Sequence, residues 1–184
     1  MVMATLLCIA GGCSRSAPPA PELATAATIK DLMDAMVDPS AEYLFDNIVE
    51  IVDETGIIDK TPKTDEEWKE VRRRALLLVE APNLLVAPGR KVAKPGEKAE
   101  YPEVELDADQ IQKLIDGDRD AFVRRARRLQ DAATLALEAI DARDKKELFA
   151  KLGDVDKACE SCHLHYWYPN DKRAREAAKE EGVD

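Results

Sequence analysis

The chain has 184 residues, with 37 Asp and Glu against 27 Lys and Arg and a formal net charge of −10. That balance argues against a nucleic-acid partner, because a polyanion is held by clustered positive charge. With four Cys and two His in all, no residue set suggests substrate catalysis: there is no nucleotide loop, no spare His and no convergent acid–base group.

Residues 1–16 read as an export signal rather than as fold. Met1 to Ile9 is apolar, and Ala10-Gly11-Gly12-Cys13 resembles a bacterial lipobox, in which Cys13 is lipidated and becomes the mature N-terminus. An ordinary signal cleaved near Ala17 is the alternative, and both readings export the chain. Ser14 after the Cys resembles an outer-membrane destination. Several acyl chains at about 0.8 kcal/mol per buried CH₂ anchor a protein stably. Residues 17–24, with Ala17-Pro18-Pro19-Ala20-Pro21, form a semi-rigid tether. Cys8 leaves with the signal. No other segment approaches the ~20 apolar residues of a membrane span.

The body, residues 25–170, has helical apolar periodicity throughout, and no strand pattern competes. A first helix is predicted from about Thr25 to Val37, with Ile29, Met33 and Met36 on one side. Asp38-Pro39 interrupts it as an N-cap and N1 pair, and helix resumes to about Asp53 with Leu44, Ile48 and Ile51 inward, a kinked continuation of the first helix being the other reading. Residues 55–62 form a turn. A long helix opens at Thr64 with the capping box Thr64-Asp65-Glu66-Glu67. It carries Trp68, Val71, Ala75 and Leu78 inward and ends or kinks at Pro82. Residues 87–106 are an irregular connection, and a short helix occupies about 107–116. Another long helix runs from Asp118 to about Arg143, with Phe122, Ala126, Leu129, Ala133, Ala136 and Ile140 inward; its small residues let a flat group approach closely. The last runs from about Lys145 to Trp167, and residues 171–184 are a charged tail. Four long helices with short or moderate links argue for an all-α, antiparallel four-helix bundle. The runs Arg72-Arg73-Arg74 and Arg124 to Arg128 are flanked by acidic residues and read as solvated helix faces.

The last helix carries Cys159-Glu160-Ser161-Cys162-His163. Cys-x-x-Cys-His is the attachment signature of c-type haem: two thiols add to the haem vinyl groups and the adjacent imidazole binds the iron. On a helix of 3.6 residues per turn the two Cys and the His lie at about 0°, 300° and 40°, so they share one face. Leu148, Leu152, Val155 and Tyr166 continue that stripe, while Glu160 and Ser161 are predicted to point to water. Two rivals stay open. Cys159, Cys162, His163 and His165 are four zinc-type ligands, though His165 points roughly 120° from Cys159. A disulfide between Cys159 and Cys162 needs no His163.

A haem motif at the end of the last helix of such a bundle resembles the class II c-type cytochromes, the cytochrome c prime family. His163-Leu164-His165-Tyr166 matches the family's His-x-x-Tyr, and the resemblance covers roughly residues 25–168. Trp167 stands where the family often has a basic residue, and the first helix offers Lys30 where many members have Arg. The resemblance implies one covalent haem c on Cys159 and Cys162, with His163 as proximal iron ligand. In its low-spin branch a Met of the first helix is the distal ligand. Met33 is the first candidate, because Ile29-Lys30-Asp31-Leu32-Met33 and Asp38-Pro39-Ser40-Ala41 resemble related bacterial sequences; Met36 is the second. His165 enters as a distal ligand only in a dimer. The function implied is single-electron transfer between redox partner proteins in the periplasm, from an outer-membrane lipid anchor. The alternative is a high-spin protein binding NO or CO at an open distal site. Many family members pair as homodimers through their first two helices.

Overall fold

The computed structural model describes residues 24–53 and 56–183. The export signal, Cys8, Cys13 and nearly all of the tether lie outside the described residues. The described chain is helical apart from one hairpin. Helix α1 (Ile29–Leu32) passes through a π-helical turn (Met33–Val37) into α2 (Asp38–Asn47). Strands β1 (Glu50–Asp53) and β2 (Gly56–Asp59) pair antiparallel, Glu50 opposite Asp59. Then come α3 (Asp65–Leu85), α4 (Ala108–Gly117), α5 (Arg119–Asp141), α6 (Lys145–Tyr166) and α7 (Lys172–Glu180). None of the described helices is long and apolar enough to cross a membrane.

The first helix is where sequence and structure differ most usefully. Asp38 is not an N-cap: its backbone is right-handed helical, at φ −59° and ψ −53°, and its N–H bonds back to the Met33 carbonyl. Pro39 explains this. In a straight α-helix it would lack its N–H bond, and its ring would strike the carbonyl of Ala35. The five-residue turn just before it widens the coil, so the helix continues instead of breaking. The extra residue shifts the register, and Met33 at the start of the turn shares a wall with Val37 at its end and with Asp38, Ala41 and Phe45 after it. The hairpin replaces the end of the predicted helix and the turn after it. At the far end, Asp171 accepts from the N–H groups of Arg173 and Ala174, and the charged tail carries α7.

The other helix starts follow their caps. Thr64 and Glu67 form a reciprocal capping box, as do Asp107 and Gln110; Asp118 caps α5 and Asp144 caps α6. Pro82 lies inside α3, which runs three residues beyond it.

Helix α5 packs against both α3 and α6, and α2 packs on α3. Leu44, Leu78, Leu148, Val71 and Val155 are all at most 1% exposed and fill the centre. Ala75 and Ala81 of α3 and Ala132, Ala133, Ala136 and Ala139 of α5 are buried beside them. Small side chains there let the backbones approach closely.

The connection after α3 ties down the site. Thr28 and Asp31 form a capping box, and the N–H groups of Ile29 and Lys30 donate to the carbonyls of Lys91 and Val92 at 2.8 and 2.9 Å. Four N–H groups at a helix start have no partner within the helix, so these bonds meet a real need. The buried Arg90 guanidinium donates to the carbonyls of Leu84 and Ala27. Leu106 N–H donates to the Trp167 carbonyl at 2.8 Å, closing the loop over the end of α6.

Of the basic runs, Arg72 pairs with Asp141, Arg73 and Arg74 with Glu70, and Arg127 bonds Asn83 and Gln130. The Arg72–Arg74 run is thus a paired helix face.

Candidate functional site

Two cavities meet between the first helix, α5 and the C-terminal part of α6. One has a volume of about 230 Å³ and the other about 220 Å³. Together they fall within the ~300–1,000 Å³ typical of small-molecule sites. Met33, Asp38, Phe122, Cys162 and His163 line both. Cys159 lines the first, with Val37, Ala41, Phe45, Leu85, Ala126 and Leu129 as its apolar wall. The second is walled by Ile29, Ile111, Ile115, Tyr166 and Trp167. Helical spacing on α6 thus brings both thiols and the imidazole to one space, and the π-turn brings Met33 opposite. Met36 lines neither cavity; it packs against the two apolar clusters that flank them.

Carboxylates ring this space. Asp38, Glu42, Asp156 and Glu160 border the first cavity, and Asp34, Asp38, Glu100 and Glu105 the second. The cations are Arg125 in the first and Lys30 in the second, the latter paired with Asp34 at 3.2 Å and Glu100 at 3.6 Å.

The reactive groups are tuned by loss of water. Burial pushes the Cys159 thiol up to about 12, helped by Cys162 and by Asp156, Asp38 and Glu160. Burial pushes Cys162 up to about 11 against the opposing charge of Arg125. Both thiols are therefore protonated at neutral pH and are poor nucleophiles in the folded chain. Burial also lowers His163, while Asp38, Glu160 and Asp156 pull it back up. A neutral imidazole is the form that binds a metal. Burial raises Asp38, and His163 opposes that shift.

Two side chains of the pentapeptide depart from the helical wheel. Glu160 accepts a hydrogen bond from the Tyr168 hydroxyl at 2.6 Å, and that hydroxyl lies 3.4 Å from Nδ1 of His163. Ser161 is 5% exposed, and Arg125 of α5 donates to both its hydroxyl and its carbonyl, at 2.6 and 3.1 Å. Wheel angles place a residue on a face but say nothing of what packs over it. Here α5 covers Ser161, and the chain beyond α6 folds back over Glu160.

Tyr166 is 3% exposed, packs edge-on to Phe122 at 5.5 Å, and borders the second cavity. Its hydroxyl has no hydrogen-bond partner among the described residues. A buried unpaired hydroxyl costs about 1–3 kcal/mol, so an acceptor arriving in that cavity would relieve it. His165 is exposed, stands off the cavities, and faces Arg125, with Nδ1 3.4 Å from the guanidinium. Among the described residues no three His, Cys, Asp or Glu side chains are grouped to hold a metal ion. Cys159 and Cys162 are free thiols.

The sequence named the two Cys, His163 and Met33. It missed Phe122 as a shared wall, Asp38 as a rim carboxylate, and the Glu160–Tyr168 pair. Phe122 was predicted only to face inward, and Pro39 was the one signal that something unusual happens around Asp38. No protein-family model, no curated protein and no solved structure matches this chain.

Proposed function

We propose that this chain is a monohaem c-type cytochrome, built as an antiparallel four-helix bundle, that carries single electrons between redox partner proteins in the periplasm and performs no substrate chemistry of its own. The observation that carries the reading is the single space into which Cys159, Cys162, His163 and Met33 all open. Two thiols three residues apart with an imidazole next to the second are what covalent haem attachment requires. The bound haem c would supply the one-electron couple.

This chain's residues have distinct parts in that scheme. Cys159 and Cys162 would hold the haem covalently, and His163 would be the proximal ligand. Met33 is the distal ligand, with Met36 kept as second candidate. Phe122, Leu85, Leu129 and Ala126 line the first cavity and would keep water from a group held there. Arg125, Lys30 and the unpaired Tyr166 hydroxyl are the donors available for propionate oxygens. Thiols that are protonated once folded fit attachment before the chain closes, in an exported chain. Lipidation at Cys13 and an outer-membrane anchor belong to the same proposal.

The test is expression with a cytochrome c maturation system. The product should be red and should keep its haem through acid-acetone extraction; a colourless chain, or one that releases haem, rejects the reading. In the oxidised form a weak far-red sulfur-to-iron band marks a Met ligand. Its absence with ready CO binding after reduction selects the gas-binding alternative.

A further inference from the structure

Beside His163, where Glu160 borders the first cavity and Tyr168 the second, the chain makes a hydrogen-bonded group. Helix α6 ends at Tyr166, and the N–H groups of Trp167 and Tyr168 both donate to the His163 carbonyl, at 2.7 and 3.0 Å. That double bond to one oxygen turns the chain back on itself. It sets the Tyr168 ring edge-on to the imidazole, with centroids 5.8 Å apart and planes at 60°. The Tyr168 hydroxyl then lies 3.4 Å from Nδ1 of His163 and donates to Glu160 Oε2 at 2.6 Å. Glu160 belongs to the pentapeptide itself, one turn before His163 on the same helix.

The proton directions are fixed by chemistry. The Glu160 carboxylate only accepts, so the phenol proton points to it. The phenol oxygen is then left as an acceptor facing Nδ1, which must carry its own N–H to be satisfied. The tautomer with N–H on Nδ1 leaves Nε2, on the other side of the ring, with a free lone pair for a metal. Partners of this kind orient ligating imidazoles and raise their basicity. We propose that Tyr168 and Glu160 act as positioning residues that lock His163 in its Nδ1–H tautomer and lower the reduction potential of the haem it ligates. This rests on the cytochrome reading above. The carboxylate charge, relayed through the phenol, strengthens electron donation by the imidazole and favours ferric over ferrous iron. Loss of an outer-shell partner typically changes metal affinity by about 10–100-fold. A tenfold loss of preference for the ferric form is about 59 mV for a one-electron couple.

The experiment is spectroelectrochemical titration of the haem-loaded full chain and three variants: Tyr168→Phe, Glu160→Gln and the double variant. Tyr168→Phe keeps the ring packing and removes both bonds; Glu160→Gln keeps an acceptor and removes the charge. Both single variants should raise the midpoint potential, Tyr168→Phe by roughly tenfold in the equilibrium ratio. The double variant should exceed Tyr168→Phe by far less than the full Glu160→Gln shift, because a relay broken at the phenol leaves Glu160 only its direct charge on His163. An unmoved potential in Tyr168→Phe overturns the proposal. So does a Glu160→Gln shift that persists at full size beside Tyr168→Phe, which would mean plain through-space charge. A wild-type chain that holds no covalent haem rejects the relay and the cytochrome reading together; a haem-loaded chain with an insensitive potential rejects the relay alone.

Discussion

The haem-free chain should lose stability in alkali in a way the haem-bearing chain does not. Cys159 and Cys162 are raised from 9.0 to about 12 and about 11 by burial in the cavity wall. A folded-state value above the unfolded one means the folded form holds its proton more tightly. The resulting stability is complete below about pH 9 and is lost progressively from there until pH passes about 11 for Cys162 and about 12 for Cys159. Each pH unit in that window is worth about 1.4 kcal/mol per fully shielded thiol. Both thiols are partly reached by solvent, so two of them amount to about 2 kcal/mol at pH 10. For a domain of this size that is a fall of about 4–8 °C in Tm between pH 8 and pH 10. The control is the haem-free Cys159→Ser/Cys162→Ser variant, which titrates every other group but not these two. Thermal melts of both proteins by circular dichroism give the difference. If the two curves fall in parallel, the thiols are not held in a dry wall, and the account of how the pentapeptide is buried fails. Thioether formation removes the titrating sulfurs, so haem-loaded protein should follow the Ser variant.

Three further outcomes follow from the geometry. Met33→Leu should convert the haem to a high-spin form that binds CO once reduced, and Met36→Leu should leave the spectrum unchanged; the reverse pattern moves the ligand to Met36. Asp34, Asp38, Glu42, Asp156 and Glu160 border the cavities. Stopped-flow oxidation by a cationic one-electron reagent should therefore slow with added salt and oxidation by an anionic one should quicken, as screening shortens the charge range to about 8–10 Å; the same sign for both reagents would mean the electron leaves elsewhere. Leu148→Ala, at a residue with no exposed surface beneath the site, should cost about 2–5 kcal/mol in denaturant unfolding. Its neighbour Phe149→Ala, at 60% exposed, should stay within about 0.5 kcal/mol; equal losses at the two positions would contradict the placement of α6.

Much of this arrangement was legible in the sequence because it rests on local rules. Thr64-x-x-Glu67 marked its helix start, and the i, i+3, i+4 spacing of Cys159, Cys162 and His163 made one face inevitable once α6 was helical. What escaped were features decided by longer reach. Asp38-Pro39 has the composition of a helix start or a kink, and nothing local to it signals that the coil widens into a π-turn at Met33–Val37. Ile51-Val52 and Ile57-Ile58 are pairs too short to alternate, so the hairpin left no period to read. Lys172 to Glu180 has almost no apolar stripe, and its helix is set by Asp171 and by burial of Ala178 alone. Tyr168 lies past the end of α6, where helical spacing places nothing. Its hydroxyl finds Glu160 because the turn after α6 is tighter than a wheel can express.

The most direct measurement is mass analysis of tryptic peptides from protein matured in a competent host. The fragment from Ala158 to Lys172 should carry one haem, with neither sulfur open to alkylation. Recovery of that fragment at its bare mass, with both sulfurs taking up the alkylating reagent, would contradict the central claim.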